Sequence, residues 1–198
     1  MKISVILAHP RPGSFNHAIA DEAAAMLRKS GHAVNVHDLY QEHFDPLLLY
    51  DEIPRDAPLD PAVARHCREI ATADGIIIVH PDWKGMPPAI LKGWIDRILR
   101  PGIAYRFAET DSGEGIPKGL LIAGAVLVFN TSNTPVEREQ KVFGDPLERI
   151  WKDCIVSFCG VRTFRRRMFG VIVTSTEQQR KVWLAEVQEI TRETFPPV

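Results

Sequence analysis

A polar loop near the amino terminus contains residue types that could bind a phosphate group. It places Arg11, Ser14 and Asn16 just ahead of a predicted helix. The free N–H groups at a helix start, together with a nearby cation, form a site for an anion. Ser14 or Asn16 could instead only cap the helix, without binding a ligand. The loop therefore predicts either a phosphate site or a simple N-cap.

Two further polar loops, at residues 81–87 and 130–135, add groups suited to a flat ligand. The first places Trp83 among prolines and glycines, whose small bulk would let a planar ring approach the backbone. Trp83 could equally plug the end of a sheet. The second loop supplies hydroxyl and amide side chains that can hydrogen-bond a polar chain or the edge of a heterocycle.

Several well-known motifs are absent from the sequence. The glycines of residues 113–119 miss the G-x-G-x-x-G spacing, and there is no P-loop. The histidines and cysteines lack metal-site spacings and there is no G-x-S-x-G elbow, so we predict no metal site and disfavour a serine hydrolase. We predict that Cys154 and Cys159 lie in a helix core. Residues 165–167, three arginines, are predicted at a solvated strand edge, the alternative being contact with an NADPH phosphate.

The elements that position these loops alternate between strand and helix. Apolar runs without alternation, at residues 3–8 and 75–80, are typical of strands buried on both faces of a parallel sheet. The predicted strands cover residues 3–8, 33–36, 75–80, a run ending near 129, and 161–173. The predicted helices follow the first loop as far as residue 30 and cover 61–73, 88–100, the segment after Pro135 as far as 158, and 176–194.

This alternation predicts a doubly wound α/β fold, a parallel five-stranded sheet with helices on both faces, formed by residues 1–198 as a single domain. Ligands of such sheets bind at the carboxyl ends of the strands. The three polar loops are therefore expected to converge on one crevice.

Composition excludes other classes of function. The 198 residues include 24 basic and 25 acidic ones, a formal charge of −1, so no global field favours nucleic acid. The apolar runs fall far short of the roughly 20 residues of a membrane span, so no membrane insertion is expected. Pro10 and Pro12 interrupt the first run, which is predicted to be a strand rather than a signal peptide. Three cysteines, an odd number, favour a reducing, cytoplasmic location.

The sequence resembles the flavodoxin-like quinone reductases, a family that includes the NAD(P)H quinone dehydrogenases and the ancillary reductases of bacterial potassium-efflux systems. The resemblance covers nearly the whole chain. The block at residues 88–97, P-A-I-L-K-G-W-I-D-R, is its most specific part. The loop S-F-N-H at residues 14–17, after Ala8-His9, and F-C-G at residues 158–160 also match.

This resemblance implies a homodimer that binds a flavin at each subunit interface, is reduced by NAD(P)H and is reoxidised by a quinone. FAD is favoured over FMN by the spacing from His9 to Asn16. The residues matching the family's flavin site are His9, Ser14, Phe15 and Asn16 for the pyrophosphate and ribityl chain, Pro81, Asp82, Trp83, Lys84 and Gly85 for the isoalloxazine, and Asn130, Thr131, Ser132 and Asn133 for its pyrimidine edge.

Two departures from the family pattern shift the expected catalytic residues. Lys84 stands where many relatives have a second Trp, which places a cation beside the expected flavin. The Tyr and His that the best-known quinone reductases use after the third loop are missing, and the Tyr position falls near Arg138. We therefore predict that Arg138, with Lys84, stabilises the negative charge of the reduced flavin.

Two alternative functions stay open from the sequence. The first is a regulatory flavoprotein subunit that docks on a potassium-efflux system. The second is a one-electron carrier of the flavodoxin type. The near-neutral net charge and the long connections at residues 39–60 and 102–119, which could wall a substrate pocket, argue against the carrier.

Overall fold

The computed structural model describes residues 1–107, 115 and 117–197. Its strands are β1 (Lys2–Leu7), β2 (Ala33–Asp38), β3 (Gly75–Pro81), β4 (Tyr105–Arg106), β5 (Lys118–Gly119), β6 (Ala125–Thr131) and β7 (Thr163–Phe169). Its helices are α1 (Phe15–Lys29), α2 (Pro61–Ala71), α3 (Ala89–Ile98), α4 (Val136–Phe143), α5 (Pro146–Arg149) and α6 (Glu177–Thr194), with a 3₁₀ turn at Tyr50–Glu52 and a π-helical stretch at Ile150–Val156.

The main sheet has five parallel strands in the order β2-β1-β3-β6-β7, and β4 and β5 form a short antiparallel pair. This confirms the predicted doubly wound α/β fold. Every residue of β3 and β6 is buried, as expected of central strands covered on both faces. Successive residues of β3 enter different cores, Ile76 and Ile78 on one face and Ile77 and Val79 on the other.

Helices cover both faces of this sheet. On one face α1 packs against α6, with Leu27 and Val187 fully buried between helix and sheet. On the other face lie α2, α3 and the π-helical stretch, whose buried Trp94 and Trp151 fill the space above the strands. Most of the apolar driving force for folding comes from these two layers.

Two predictions about the carboxyl-terminal half are wrong in detail. The helix predicted over residues 135–158 is broken where Gly144 and Asp145 adopt left-handed backbone angles, φ +73° and +47°. Cys154 is exposed rather than in a helix core, because the π-helical stretch turns it outward. Cys159 is buried as predicted, but it lies in the turn after that stretch and not in a helix. Burial raises the pKa of the Cys159 thiol to about 11.

The long connection at residues 39–60 is fastened to α3 by arginine side chains. Arg97 donates to both carboxylate oxygens of Glu52, at 2.9 and 2.5 Å, and to the carbonyl of Asp45 at 2.6 Å. Gly93 lets the segment approach, since a Cβ there would lie 2.1 Å from the carbonyl oxygen of Pro46. The glycine and arginine of the P-A-I-L-K-G-W-I-D-R block thus hold this connection in place.

The connection at residues 102–119 lies partly outside the described residues, and so does its predicted role as a pocket wall. Its described ends form the β4–β5 pair. No helix in the described part of the chain is both long and apolar enough to cross a membrane.

Candidate functional site

A cavity of about 620 Å³ opens at the carboxyl ends of β1, β3 and β6, where the three polar loops meet. The parallel register of these neighbouring strands brings their ends to the same edge. The predicted cofactor-binding residues that line the cavity are His9, Ser14, Phe15, Asn16, Pro81, Asp82, Trp83, Lys84, Gly85, Thr131, Ser132 and Asn133.

The first loop both caps α1 and faces the cavity. Ser14 is the N-cap, and its Oγ accepts a hydrogen bond from the backbone N–H of His17 at 3.4 Å. Asn16 is buried and donates from Nδ2 to Thr131 Oγ1 at 2.9 Å, which ties the first loop to the third. Its Oδ1 has no hydrogen-bond partner among the described residues. The capping interpretation and the binding interpretation of this loop are therefore compatible.

The second loop is a tight turn that presents an aromatic ring beside the cavity. Trp83 and Met86 exchange backbone hydrogen bonds of 3.0 and 3.3 Å, and Lys84 and Gly85 between them have φ of +61° and +73°. Asp82 fixes the turn by accepting from the Gly85 N–H at 2.8 Å. Trp83 is 45% exposed, so it does not plug the end of the sheet. Its indole is available to a planar ligand.

Asn130 is the one predicted cofactor-binding residue that does not line the cavity. It is fully buried on the opposite side of β6 from Thr131, as strand alternation requires, and accepts from Arg166 Nε at 2.9 Å. Arg166 Nη1 also contacts carboxylate oxygens of Asp145 at 2.9 Å and Glu148 at 3.2 Å. Asn130 therefore lies behind the cavity wall, where it helps to hold Arg166 in place.

The same contacts correct the prediction of a solvated strand edge for Arg166, whereas Arg165, 43% exposed on the edge strand β7, agrees with it. Arg166 is not at a solvated edge, because its side chain is 5% exposed and held among acidic groups. Its neighbours point the other way: Arg165 pairs with Glu193 at 2.7 Å and Arg167 with Glu186 at 2.5 Å. All three guanidinium groups are thus occupied by carboxylates.

Arg138 lies outside the cavity, on the exposed side of α4, with its guanidinium 5.5 Å from the centre of the Phe143 ring. The adjacent Glu139 is 3% exposed and lines the cavity instead. One residue of a helix turns the side chain by about 100°, so counting along the loop reached the right helix but the wrong face. The side chain of Arg138 does not line the cavity, so no contact supports its predicted catalytic role. Lys84 does line the cavity.

The sequence interpretation missed several cavity residues that follow β7 or lie beyond the third loop. Arg180 of α6 reaches the cavity, bonding Ser175 Oγ at 2.8 Å, with its guanidinium 5.9 Å from the centre of the Phe15 ring. No local motif marks this arginine. Arg11, the cation expected beside the first loop, also lines the cavity, and the remaining lining residues outside the predicted set are Gly13, Thr134, Glu139, Phe143, Pro146 and Ile172.

Burial shifts the titration of the ionisable groups around the cavity. It raises the pKa of Asp82, although the hydrogen bond from the Gly85 N–H and the charge of Arg166 oppose this effect. It also raises the pKa of Glu139, with added repulsion from Asp82 and Asp145. Burial lowers the pKa of His9. The cavity therefore contains two carboxyl groups whose pKa values are raised by the same cause, the loss of solvent around them.

A cluster with metal-ligand chemistry lies elsewhere, at the end of β2. Ring nitrogens of His37 and His66 and a carboxylate oxygen of Glu42 lie within 4.8 Å of one another. However, His66 Nδ1 accepts from Trp94 Nε1 at 2.9 Å, so the ring carries its proton on Nε2, which faces Glu42 at 3.0 Å. His37 faces Glu42 and Glu69 with its two nitrogens, at 2.8 and 2.6 Å. Hydrogen bonds therefore satisfy these groups.

Comparison with known proteins agrees with this architecture. A ribosyldihydronicotinamide dehydrogenase [quinone] of Mus musculus is 31% identical to this chain. The matched region covers 93% of this chain and 87% of that protein. Among solved structures, an NAD(P)H:quinone oxidoreductase of Methanothermobacter marburgensis has a TM-score of 0.82 at 22% identity, covering 98% of this chain and 96% of the other. An FMN-dependent NADH-azoreductase of Bacillus anthracis, in complex with FMN, has a TM-score of 0.75 at 15% identity, covering 97% and 98%.

The family model that matches the chain covers residues 1–190 and describes the flavodoxin-like fold. That span includes all five strands of the main sheet and every residue that lines the cavity. The chain belongs to the family of proteins with the flavodoxin-like fold.

Proposed function

We propose that the protein is a flavin-dependent NAD(P)H oxidoreductase that passes two electrons, as hydride, to a quinone or a similar acceptor. The observation that carries the proposal is the cavity at the strand ends. The start of α1, the exposed indole of Trp83 and the polar third loop all line this cavity. The Mus musculus relative is, by its name, a dehydrogenase that acts with a quinone, and a relative from Haemophilus influenzae that is 30% identical over 91% of this chain is named an NAD(P)H oxidoreductase. The FMN complex of the azoreductase with the same fold further supports a flavin.

The residues present fit a flavin nucleotide. The first N–H groups of α1, with Arg11, suit a phosphate group. The buried Asn16 Oδ1, which lacks a partner among the described residues, is an acceptor for a donor group of a ligand. Trp83 offers a face for a planar ring. We propose FAD, from the spacing between His9 and Asn16, with FMN as the alternative.

A bound flavin would supply the hydride chemistry, and the chain's own residues would set the charge and the proton supply around it. Lys84 is exposed at the tip of its turn, lines the cavity and has no ion pair in the described part of the chain, so its ammonium is available to stabilise an anion. Glu139 is placed to hold a proton beside an acceptor, since its carboxyl group is buried next to Asp82 and Asp145.

We also propose a homodimer. Five residues of the connection at 39–60 expose large apolar surfaces: Leu47 at 66%, Leu48 at 44%, Leu49 at 54%, Tyr50 at 85% and Ile53 at 60%. Such a concentration of exposed apolar side chains is typical of a protein interface. A second cavity, of about 370 Å³, adjoins this segment and is also lined by Tyr105 and Phe158.

The three free cysteines are compatible with the reducing, cytoplasmic location that we propose.

The test is to purify the protein, record its visible spectrum and identify any flavin released on denaturation. The apoprotein is then titrated with FAD, FMN and riboflavin, and NAD(P)H oxidation is followed with quinone, azo and nitroaromatic acceptors. We expect flavin absorbance near stoichiometric levels and acceptor-dependent NAD(P)H oxidation. A protein that binds none of the three flavins contradicts the proposal, and a stable semiquinone without hydride transfer indicates a one-electron carrier instead.

A further inference from the structure

A hydrogen-bonded chain of three side chains runs from the cavity into the space between α1 and β2. Ser14 Oγ, on the cavity wall, lies 2.8 Å from Nδ1 of His17. His17 Nε2 lies 3.0 Å from Asp38 Oδ2. The side chains of His17 and Asp38 are 18% and 15% exposed, so the chain is largely shielded from solvent.

The partners in this chain determine where the hydrogens lie. Asp38 Oδ1 accepts from the backbone N–H groups of Tyr40 and Gln41, at 3.1 and 3.2 Å, so this carboxylate acts only as an acceptor. His17 Nε2 therefore carries a hydrogen toward Asp38 Oδ2. When the ring is neutral, Nδ1 has a lone pair, and the hydroxyl of Ser14 must donate its one hydrogen to it.

In that state one lone pair of Ser14 Oγ accepts from the backbone N–H of His17, and only the other lone pair is left for the cavity. A phosphate oxygen placed there would meet an acceptor, although the helix start around it is suited to an anion. When His17 takes a proton from solution, Nδ1–H donates to Ser14 Oγ and the hydroxyl hydrogen becomes free to donate into the cavity. The protonated ring also adds a positive charge behind the hydroxyl.

We infer that His17 controls phosphate binding at this site: binding the phosphate group of a flavin nucleotide takes up one proton, on His17, and reverses the hydrogen bond between His17 and Ser14. This inference rests on the proposed flavin-binding function. His17 is thus a positioning residue that acts through Ser14, and it would make nucleotide affinity fall as the pH rises.

Other charged groups face His17 and must be separated from it in the test. The loop after β1 contributes His9, whose ring centre is 6.3 Å from that of His17, and the cation Arg11. β2 contributes Asp38, and α1 itself contributes the exposed Asp21, four residues along. Of these groups, only His9 is a second imidazole, so it is the competing source of a proton change near neutral pH.

The experiment is calorimetric titration of the apoprotein with FAD and with riboflavin at pH 7.5, in two buffers of different ionisation enthalpy. FAD has a pyrophosphate that keeps its charge near this pH, and riboflavin has no phosphate. We expect an uptake approaching one proton per site with FAD and close to none with riboflavin. The dissociation constant for FAD should rise with pH over the range in which this proton uptake is measured, because the proton is then a co-ligand of the phosphate.

Two variants test whether His17 is the group that takes up the proton when FAD binds. In His17→Asn the side-chain amide can donate to Ser14 at any pH, so FAD binding should persist with no proton uptake and a flat pH profile. His43→Asn, at an exposed histidine that does not line the cavity, should keep the wild-type uptake. Equal uptake in the wild type and His17→Asn, or FAD binding without uptake, would overturn the inference.

Failure of the proposed function is a different result. If neither FAD nor riboflavin binds, the flavin proposal fails, and sulfate, which does not titrate near neutral pH, becomes the probe of the anion site. Sulfate binding with proton uptake that His17→Asn abolishes would support control by His17. Sulfate binding with no uptake, or no sulfate binding at all, would overturn it.

Discussion

The indole N–H of Trp151 donates at 3.0 Å to Nε2 of His80, the residue that precedes the cavity residue Pro81. His80 Nδ1 lies 2.8 Å from the carbonyl oxygen of Pro81, so it carries the hydrogen and the ring is neutral. Burial lowers the pKa of His80 to about 4, against a partial opposing effect of the Pro81 hydrogen bond. A buried neutral histidine thus links β3 to the π-helical stretch.

This arrangement predicts an acid-sensitive fold. The unfolded chain binds a proton on this imidazole near pH 6.5, whereas the folded protein binds it only near pH 4, so stability present above pH 6.5 is lost as the pH falls toward 4. The loss is about 3 kcal/mol from this group. Denaturant unfolding at pH 7 and pH 4.5 should show a smaller pH effect for His80→Gln than for the wild type. An unchanged pH effect would contradict the assignment.

The close approach of Gly93 to Pro46 predicts a costly substitution. In Gly93→Ala the new Cβ would lie 2.1 Å from the Pro46 carbonyl oxygen, so α3 and the connection at 39–60 must separate. We expect a loss of about 1 to 3 kcal/mol in the free energy of unfolding. Gly124→Ala is the matched control, since its Cβ would have a nearest contact of 3.8 Å. Equal unfolding midpoints for the two variants would argue against this packing.

The two neighbouring arginines of β7 should differ strongly in their contribution to stability. Arg166→Met removes the cation beside Asp145, whose side chain is 20% exposed, and the donor to the fully buried Asn130 Oδ1. We expect a loss of about 1 to 3 kcal/mol, chiefly from the buried acceptor left without a partner. Arg165→Met, which breaks only the exposed pair with Glu193, should cost less than about 1 kcal/mol. Chemical denaturation measures both, and similar losses would show that Arg166 is not buried as described.

If a flavin binds as proposed, Lys84 should tune its reduction. Lys84→Gln removes a cation from the cavity wall, so the two-electron midpoint potential should fall, by on the order of 20 to 30 mV. Lys141→Gln is the control, because Lys141 is exposed and paired with Glu137 at 2.6 Å. Redox titration of both variants measures the two-electron midpoint potential of the bound flavin. A potential that stays constant or rises in Lys84→Gln would place the ammonium away from the flavin.

The exposed apolar segment should control association. Tyr50→Glu puts a charge on the most exposed of its large apolar side chains, and we expect it to shift a dimer to a monomer in light scattering at micromolar concentration. Val182→Glu changes an exposed apolar residue of α6 and should leave the mass unchanged. A wild-type protein that is monomeric at the same concentration would refute the homodimer.

The order of elements and the location of the site were predictable from sequence because both depend on local signals. Buried strands such as β3 are uninterrupted apolar runs, and Ser14, Asp60 and Thr176 occupy helix N-caps as local capping preferences suggest. Parallel topology then forces loops that follow neighbouring strands to one edge of the sheet. Strand ends were less predictable, since they depend on pairing with the next strand.

Which side chains face the cavity was decided only by tertiary structure. Glu139 rather than Arg138 lines it because the orientation of α4 is set by the break at Gly144 and by packing, not by the local sequence. Arg166 is buried because the pairing of β7 with β6 places it beside Asn130. The turn at Asp145 then brings a carboxylate to its guanidinium group. The sequence thus determined the elements and the edge of the sheet where the cavity lies, whereas long-range packing determined which side chains line it, because orientation and charge pairing depend on residues distant in the chain.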